Sequence, residues 1–463
     1  MRLWLAPVVL AASSHLWAGE AAGPPAAQAT TVAATAPGGA DAAAIVRAFF
    51  AEADAAGRAD LAARFAAAAP KSWGDLKAML HAAAPRPPLP AGRHKLQTPG
   101  DADSPPVRYV LRVPEAYAAD AARGWPLVVT CHGTGGSGEG ALNALERWMG
   151  PDAEQVLAAA AEAPQGERFE PTRINMEYPL AVLADVRRRA NVDSDRTVLT
   201  GFSKGGYTTW ATVLFSPGEW GAAAPMACYP MTEAGAAAAI LYLPNVLALR
   251  VQHHWGENDI EAGQKEGINT LSRDVAAEMK RLAARRFEAV EYAGQGHGFQ
   301  PDSSRFRAFV RSAQREAFPA EGRLIFHHLW QGRAWAARAT ALAKADFDFS
   351  APHSVRLTRP EDPRKVKRDF LMSQAFELTV RLPPGQNMVA VMARNIREVE
   401  VELPAEKLDF ARPVRVTLNT RTVFEGLRKV DWLELLETAR RTGDFERLVA
   451  GRLKASVAGA KSP

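Results

Sequence analysis

Thr197-Val198-Leu199-Thr200-Gly201-Phe202-Ser203-Lys204-Gly205-Gly206 is the stretch on which the reading of this 463-residue chain turns. A short β-rich run enters a glycine-rich corner around one serine, and a helical pattern continues from Gly206 to Phe215. Strand, G-x-S-x-G turn and helix, in that order, describe a nucleophile elbow. The tight turn lifts a serine hydroxyl clear of a sheet and sets it at a helix N-terminus. Glycines stand on both sides because side chains there would collide with the neighbouring strand and helix. Ser203 is the candidate nucleophile.

Outward from the elbow, short β runs alternate with helical stretches between about 94 and 320. Val107–Val113 alternates, and Pro126–Thr130 is a β-rich apolar run that suits a strand buried on both faces. Asn245–Val251 and Ala289–Tyr292 read as further strands, Tyr178–Ala190 and Leu271–Arg285 as helices. The alternation predicts a mostly parallel sheet with helices on both faces.

A serine hydroxyl needs a base, and the base needs an acid to fix its tautomer. Gly294-Gln295-Gly296-His297-Gly298-Phe299 follows a short strand, and its glycines let the loop carry an imidazole over the serine, so His297 is the expected base. Between the two lies His253-His254-Trp255-Gly256-Glu257-Asn258-Asp259. Asp259 is the expected acid and Glu257 its competitor. An oxyanion requires backbone donors. One is the amide of Lys204. The other comes from Cys131-His132-Gly133-Thr134-Gly135-Gly136, through Thr134 or Gly135, and the sequence leaves that choice open. His132 reads as structural.

These motifs resemble the α/β-hydrolase superfamily over residues 105 to 320, about half the chain. HGTGG, GFSKGG and GEND…GHGF fall in the family's order, serine then acid then histidine. Val192-Asp193-Ser194-Asp195-Arg196 is similar to the lead-in of secreted esterases, polyhydroxyalkanoate-depolymerase-like, feruloyl-esterase-like or of the prolyl-oligopeptidase-like branch. The Pro225-Met226-Ala227-Cys228 segment takes the place of their loop after the next strand. The resemblance implies a serine hydrolase with a covalent acyl-enzyme, acting on a small-molecule or polymer-derived ester. A peptidase of short peptides and a non-catalytic binding protein are the alternatives. No cofactor is implied. No metal is expected, since His253 and His254 are adjacent on a strand and point to opposite faces. In the strand order that the resemblance implies, the strand of Ser203 lies between those of Cys131 and Cys228, and two strand spacings exceed disulfide reach, so both are expected as free thiols.

The ends of the chain have their own textures. Arg2, the apolar Leu3–Ala12 and the small Ala18 read as a signal peptide over 1–18, which predicts export to the periplasm or beyond. Residues 19–40 read as a flexible linker, 41–90 as a helical prefix and linker, and 321–457 as a small antiparallel β-rich accessory domain with a C-terminal helix. Trp330, Trp335 and Trp432 are expected in its core. Hydrophobic residues make up 47% and charged residues 23%, which excludes wholesale disorder, and two cysteines exclude a disulfide scaffold. The net charge of +5 accompanies no nucleic-acid-binding motif, and the cluster Arg364, Lys365, Lys367, Arg368 reads as solvated surface. No run is long enough for a membrane span.

Overall fold

A computed structural model describes residues 37–100, 105–119, 121–163, 169–260, 267–351, 353 and 363–457. The expected signal peptide and most of the expected linker lie outside these residues. The centre is an eight-stranded sheet: β1 (Gly92–Gln97), β2 (Arg108–Val113), β3 (Trp125–Cys131), β4 (Leu157–Ala161), β5 (Val192–Phe202), β6 (Ala222–Met226), β7 (Arg250–Gly256) and β8 (Phe287–Tyr292). Their order is β1-β2-β4-β3-β5-β6-β7-β8. β1 and β2 run antiparallel to their neighbours, and β3 to β8 are parallel. With β5 entering the elbow from the middle, this is the α/β-hydrolase fold.

Alternation along the strands builds two cores. Leu127 and Val129 face one side with Leu199, and Val128 and Val198 face the other. The second side is covered by α4 (Gly138–Met149) and α9 (Ser303–Arg311) through Leu142, Leu145, Phe306 and Phe309. The first is covered by α5 (Arg173–Arg189), α6 (Lys204–Phe215) and α8 (Ile268–Arg281), with the one-turn α7 (Ala236–Ala239) beside them. Pro126 stands in a central strand without breaking it, because the β3–β5 register shifts between Trp125 and Leu127, where its missing N–H is not needed.

The reading differs from the structure in several places. Residues 240–246 form a 3₁₀ turn rather than a strand start, so β7 begins at Arg250 and carries both histidines inside it. Pro225 and Met226 belong to β6, and the loop begins only at Ala227, with φ 53°. The first helix starts at Pro37, inside the expected linker.

The C-terminal part holds two sheets, not one antiparallel unit. β10 (Arg333–Ala334), β11 (Ala337–Leu342), β14 (Ile396–Pro404) and β17 (Val449–Ser456) form one. β9 (Glu321–Phe326), β12 (Phe376–Arg381), β13 (Met388–Arg394), β15 (Val414–Leu418) and β16 (Arg421–Gly426) form the other, in the order β16-β15-β13-β12-β9, with β13 and β15 parallel. The chain leaves β13 at Asn395, in the left-handed region at φ 61°, crosses to the other sheet as β14, and returns beside β13. That detour is what makes the pair parallel. α10 (Pro363–Gln374) precedes β12. Trp335 is buried against Gly322, and Trp330 is half-buried.

α1 (Pro37–Ala51), α2 (Ala55–Ala68) and α3 (Trp73–Ala83) pack on α11 (Trp432–Thr442). Phe49, Phe65, Leu76 and Leu80 join Leu435, Leu436 and Leu448 in one core. Phe65 and Trp432 meet edge to face at 5.3 Å. No helix among the described residues is long and apolar enough to cross a membrane.

Candidate active site

β5 delivers Ser203 at φ 55° and ψ −118°, a backbone state that costs on the order of 1–3 kcal/mol and persists only where the surroundings enforce it. Here the Ser203 amide donates to Met226 O at 2.9 Å, and the serine carbonyl accepts the Tyr207 amide of the first α6 turn at 3.0 Å. Gly205 shows why the motif needs glycine. A Cβ there would lie 2.0 Å from the Cys131 carbonyl oxygen, so β3 and α6 could not approach each other.

His297 and Asp259 reach the serine from the two strands beyond β6. Nδ1–H of His297 donates to Asp259 Oδ1 at 2.8 Å, and Ser203 Oγ–H donates to His297 Nε2 at 2.9 Å. The carboxylate can only accept, which fixes the tautomer and leaves Nε2 free to take a proton. Asp259 is fully buried, and its Oδ2 has no hydrogen-bond partner among the described residues. The His297 side chain is 41% exposed, so the reacting atoms sit at an open surface. Hollows of about 410 and 520 Å3 lie in and beside the C-terminal sheets, near Pro384 and Lys454, and no residue of this trio lines them.

Glu257 does not touch the imidazole. Its Oε2 accepts the Gly294 amide at 2.7 Å, and the Asn258 amide donates to Gln295 O at 2.7 Å. The acid loop and the histidine loop are thereby zipped together as an extension of the β7–β8 pair. The sequence carries no sign of this, because the partner is a backbone amide.

The third loop lies against the serine from the β3 side. A Cβ placed on Gly133 would lie 3.6 Å from Ser203 Cβ. Gly136 N–H donates to Gly133 O at 3.0 Å, closing a four-residue turn whose corners are Thr134 and Gly135, the latter at φ 68°. The closing bond uses neither corner amide, so both Thr134 and Gly135 stay candidates as donors. The Lys204 amide opens α6, where the first amides have no partner within the helix. His132 braces the turn. Its Nδ1–H donates to Gly133 O at 2.8 Å, and its Nε2 accepts the Ala163 amide at 3.1 Å. Glu162, which the reading did not single out, accepts the Gly138 amide at 2.8 Å at the start of α4.

His253 and His254 point to opposite faces of β7, and neither reaches water. His253 Nε2–H donates to Cys228 O at 2.9 Å beside Trp210. His254 Nε2–H donates to Gln252 Oε1 at 3.0 Å, and its Nδ1 accepts the Tyr292 hydroxyl. The two cysteines are buried free thiols on β3 and beyond β6, with β5 between. Burial pushes Cys131 up to about 12.

Burial also lowers three enclosed imidazoles, His253 to about 4, His254 to about 3 and His327 to about 4. Each is neutral when folded and takes a proton on unfolding below its ordinary value of 6.5. Asp195 works the other way, since burial raises it to about 6 and it releases its proton on unfolding. At pH 5 unfolding therefore takes up about two protons net from these four groups, and stability rises with pH through the window from 4 to 6.5. The expected result is a melting temperature that falls steadily on acidification over that range. His327→Gln should flatten the slope by about one proton; an unchanged slope would refute the assignment.

No family model and no curated protein matches the chain. Solved structures similar to part of it include a thermostable esterase, 22% identical over 46% of this chain and 60% of that one, with a TM-score of 0.35. Others are an acetyl xylan esterase from Aspergillus awamori (13% identity, 48% and 100% covered, TM-score 0.38) and a ferulic acid esterase (10%, 49% and 98%, 0.40).

Proposed function

We propose that this chain is a serine hydrolase of carboxylic esters, with Ser203 as nucleophile, His297 as general base and acid, and Asp259 as the group that orients the imidazole. The observation that carries the reading is the continuous line from Ser203 Oγ to His297 Nε2 at 2.9 Å and from His297 Nδ1 to Asp259 Oδ1 at 2.8 Å. In this reading Ser203 Oγ bonds to the acyl carbon as His297 Nε2 takes its proton. The carbonyl electron pair moves onto oxygen, held by the amides of Lys204 and of Thr134 or Gly135. The intermediate collapses, the C–O bond to the alcohol breaks, and His297 gives the departing oxygen its proton. Water then repeats the sequence on the acyl-enzyme, its proton passing through His297 back to Ser203.

The test is covalent labelling. A fluorophosphonate should modify the wild-type protein stoichiometrically and leave Ser203→Ala unlabelled; label retained at another residue in that variant would overturn the assignment. Export is part of the proposal and rests on residues 2–18 alone. The same label followed in fractions of an expressing bacterium should appear outside the cytoplasm, on a chain shortened by about 18 residues.

A further inference from the structure

The nucleophile's surroundings extend into the C-terminal sheets. Tyr207 lies one helical turn from Ser203, on the same side of α6. Its ring stacks on Phe169 at 5.8 Å and meets Tyr229 edge to face at 5.0 Å. These three rings come from the segment before α5, from α6 and from the loop after β6. The loop after β6 and the first residue of α5 are gripped from outside by one turn of the C-terminal part, His328 to Gln331. His328 Nε2–H donates to Glu233 Oε2 at 2.6 Å, four residues beyond Tyr229. Trp330 lies under the Arg173 guanidinium at 5.5 Å, four residues beyond Phe169.

The gripping turn is itself rigid. Gln331 Oε1 accepts the amides of His327 and His328 at 3.0 and 3.2 Å, and the His328 and Trp330 rings stack at 6.0 Å. Burial alone would favour a neutral His328. The Glu233 hydrogen bond and charge, with Asp346 at 3.6 Å, outweigh it and raise the group above its ordinary value. A grip by an ion pair and a cation–π contact is worth having only if the gripped segments would otherwise drift.

We propose that His328 and Trp330 are positioning residues for substrate choice: they hold the Phe169–Tyr207–Tyr229 row as a fixed apolar wall, and so favour esters whose acyl arm extends past acetyl. This rests on the ester-hydrolase reading above. Neither residue touches the reacting atoms.

The experiment compares p-nitrophenyl acetate with p-nitrophenyl 3-phenylpropanoate. In Trp330→Ala and in His328→Gln, the ratio of kcat/KM for the longer ester over acetate should fall about tenfold, carried by KM rather than kcat. Trp330→Phe, which keeps a ring under Arg173, should restore most of the ratio. Melting curves identify any variant that fails to fold; should Trp330→Ala be one, His328→Gln and Trp330→Phe decide. An unchanged ratio in folded variants, or an equal loss on both esters, overturns this inference alone. A wild-type protein that cleaves neither ester and takes no fluorophosphonate overturns the hydrolase reading, and this inference with it.

Discussion

Replacing His297 by alanine should lower kcat on p-nitrophenyl acetate by on the order of 10⁵ to 10⁶, and Ser203→Ala should do as much. The double variant should be no worse than either, because nucleophile and base act as a unit and the second loss removes nothing that still works. Asp259→Asn should cost roughly 10⁴, since an amide facing Nδ1 favours the wrong tautomer. Glu257→Gln should stay within about threefold, because its partner is the Gly294 amide and a glutamine oxygen accepts that bond equally well. Steady-state kinetics on the five variants beside the wild type decide the matter. A near wild-type rate in Asp259→Asn beside a collapsed Glu257→Gln would exchange the roles of the two acids.

The second large effect concerns stability. Arg315, just after α9, makes a two-bond pair with Asp444 beyond α11 at 2.7 and 2.8 Å, and its Nε reaches Asp195 at 3.0 Å. Arg187 joins Asp444 at 3.7 Å and Glu219 at 3.0 Å, and Arg447 pairs with Glu402 at 2.9 Å. The side chains of Arg315 and Asp444 are 1% and 3% exposed. Burial opposes charge on Asp444, and Arg315 and Arg187 overcome it, holding the carboxyl well below its usual range. Arg315→Ala strands that carboxylate and should destabilise the fold by about 3–5 kcal/mol in urea titration. The exposed pair Arg415–Glu425 is the control: Arg415→Ala should change stability by no more than about 0.5 kcal/mol. Since the cluster joins α5, β5, the segment after α9 and the C-terminal sheets, loss of one member should shift a single transition. Two separated transitions in the wild type would refute that coupling.

What was readable in the sequence divides along physical lines. The elbow was readable because its geometry leaves almost no choice of residue, as the 2.0 Å approach to Gly205 makes plain. The aspartate and histidine were readable because chain order and loop glycines narrow the field. Two central strands were not readable from propensity. Leu157-Ala158-Ala159-Ala160-Ala161 and Ala222-Ala223-Ala224-Pro225-Met226 hold no β-branched residue, and alanine favours helices. They are strands because helices press on both faces of the sheet there, and small side chains let them do so. The same limit hid the second C-terminal sheet and the Trp330–Arg173 contact, which join positions 157 residues apart by packing alone.

The prefix helices carry a consequence for how the molecule comes into being. Arg58 bonds Glu437 across 379 positions of chain, and His81 bonds Glu446 across 365. These helices thus close their apolar faces on a segment synthesised 365 to 379 positions later. Until that segment arrives, Phe49, Phe65 and Leu80 have no cover, and closing so long a loop is slow. The prefix helices must therefore stay unaggregated until synthesis has passed Leu448.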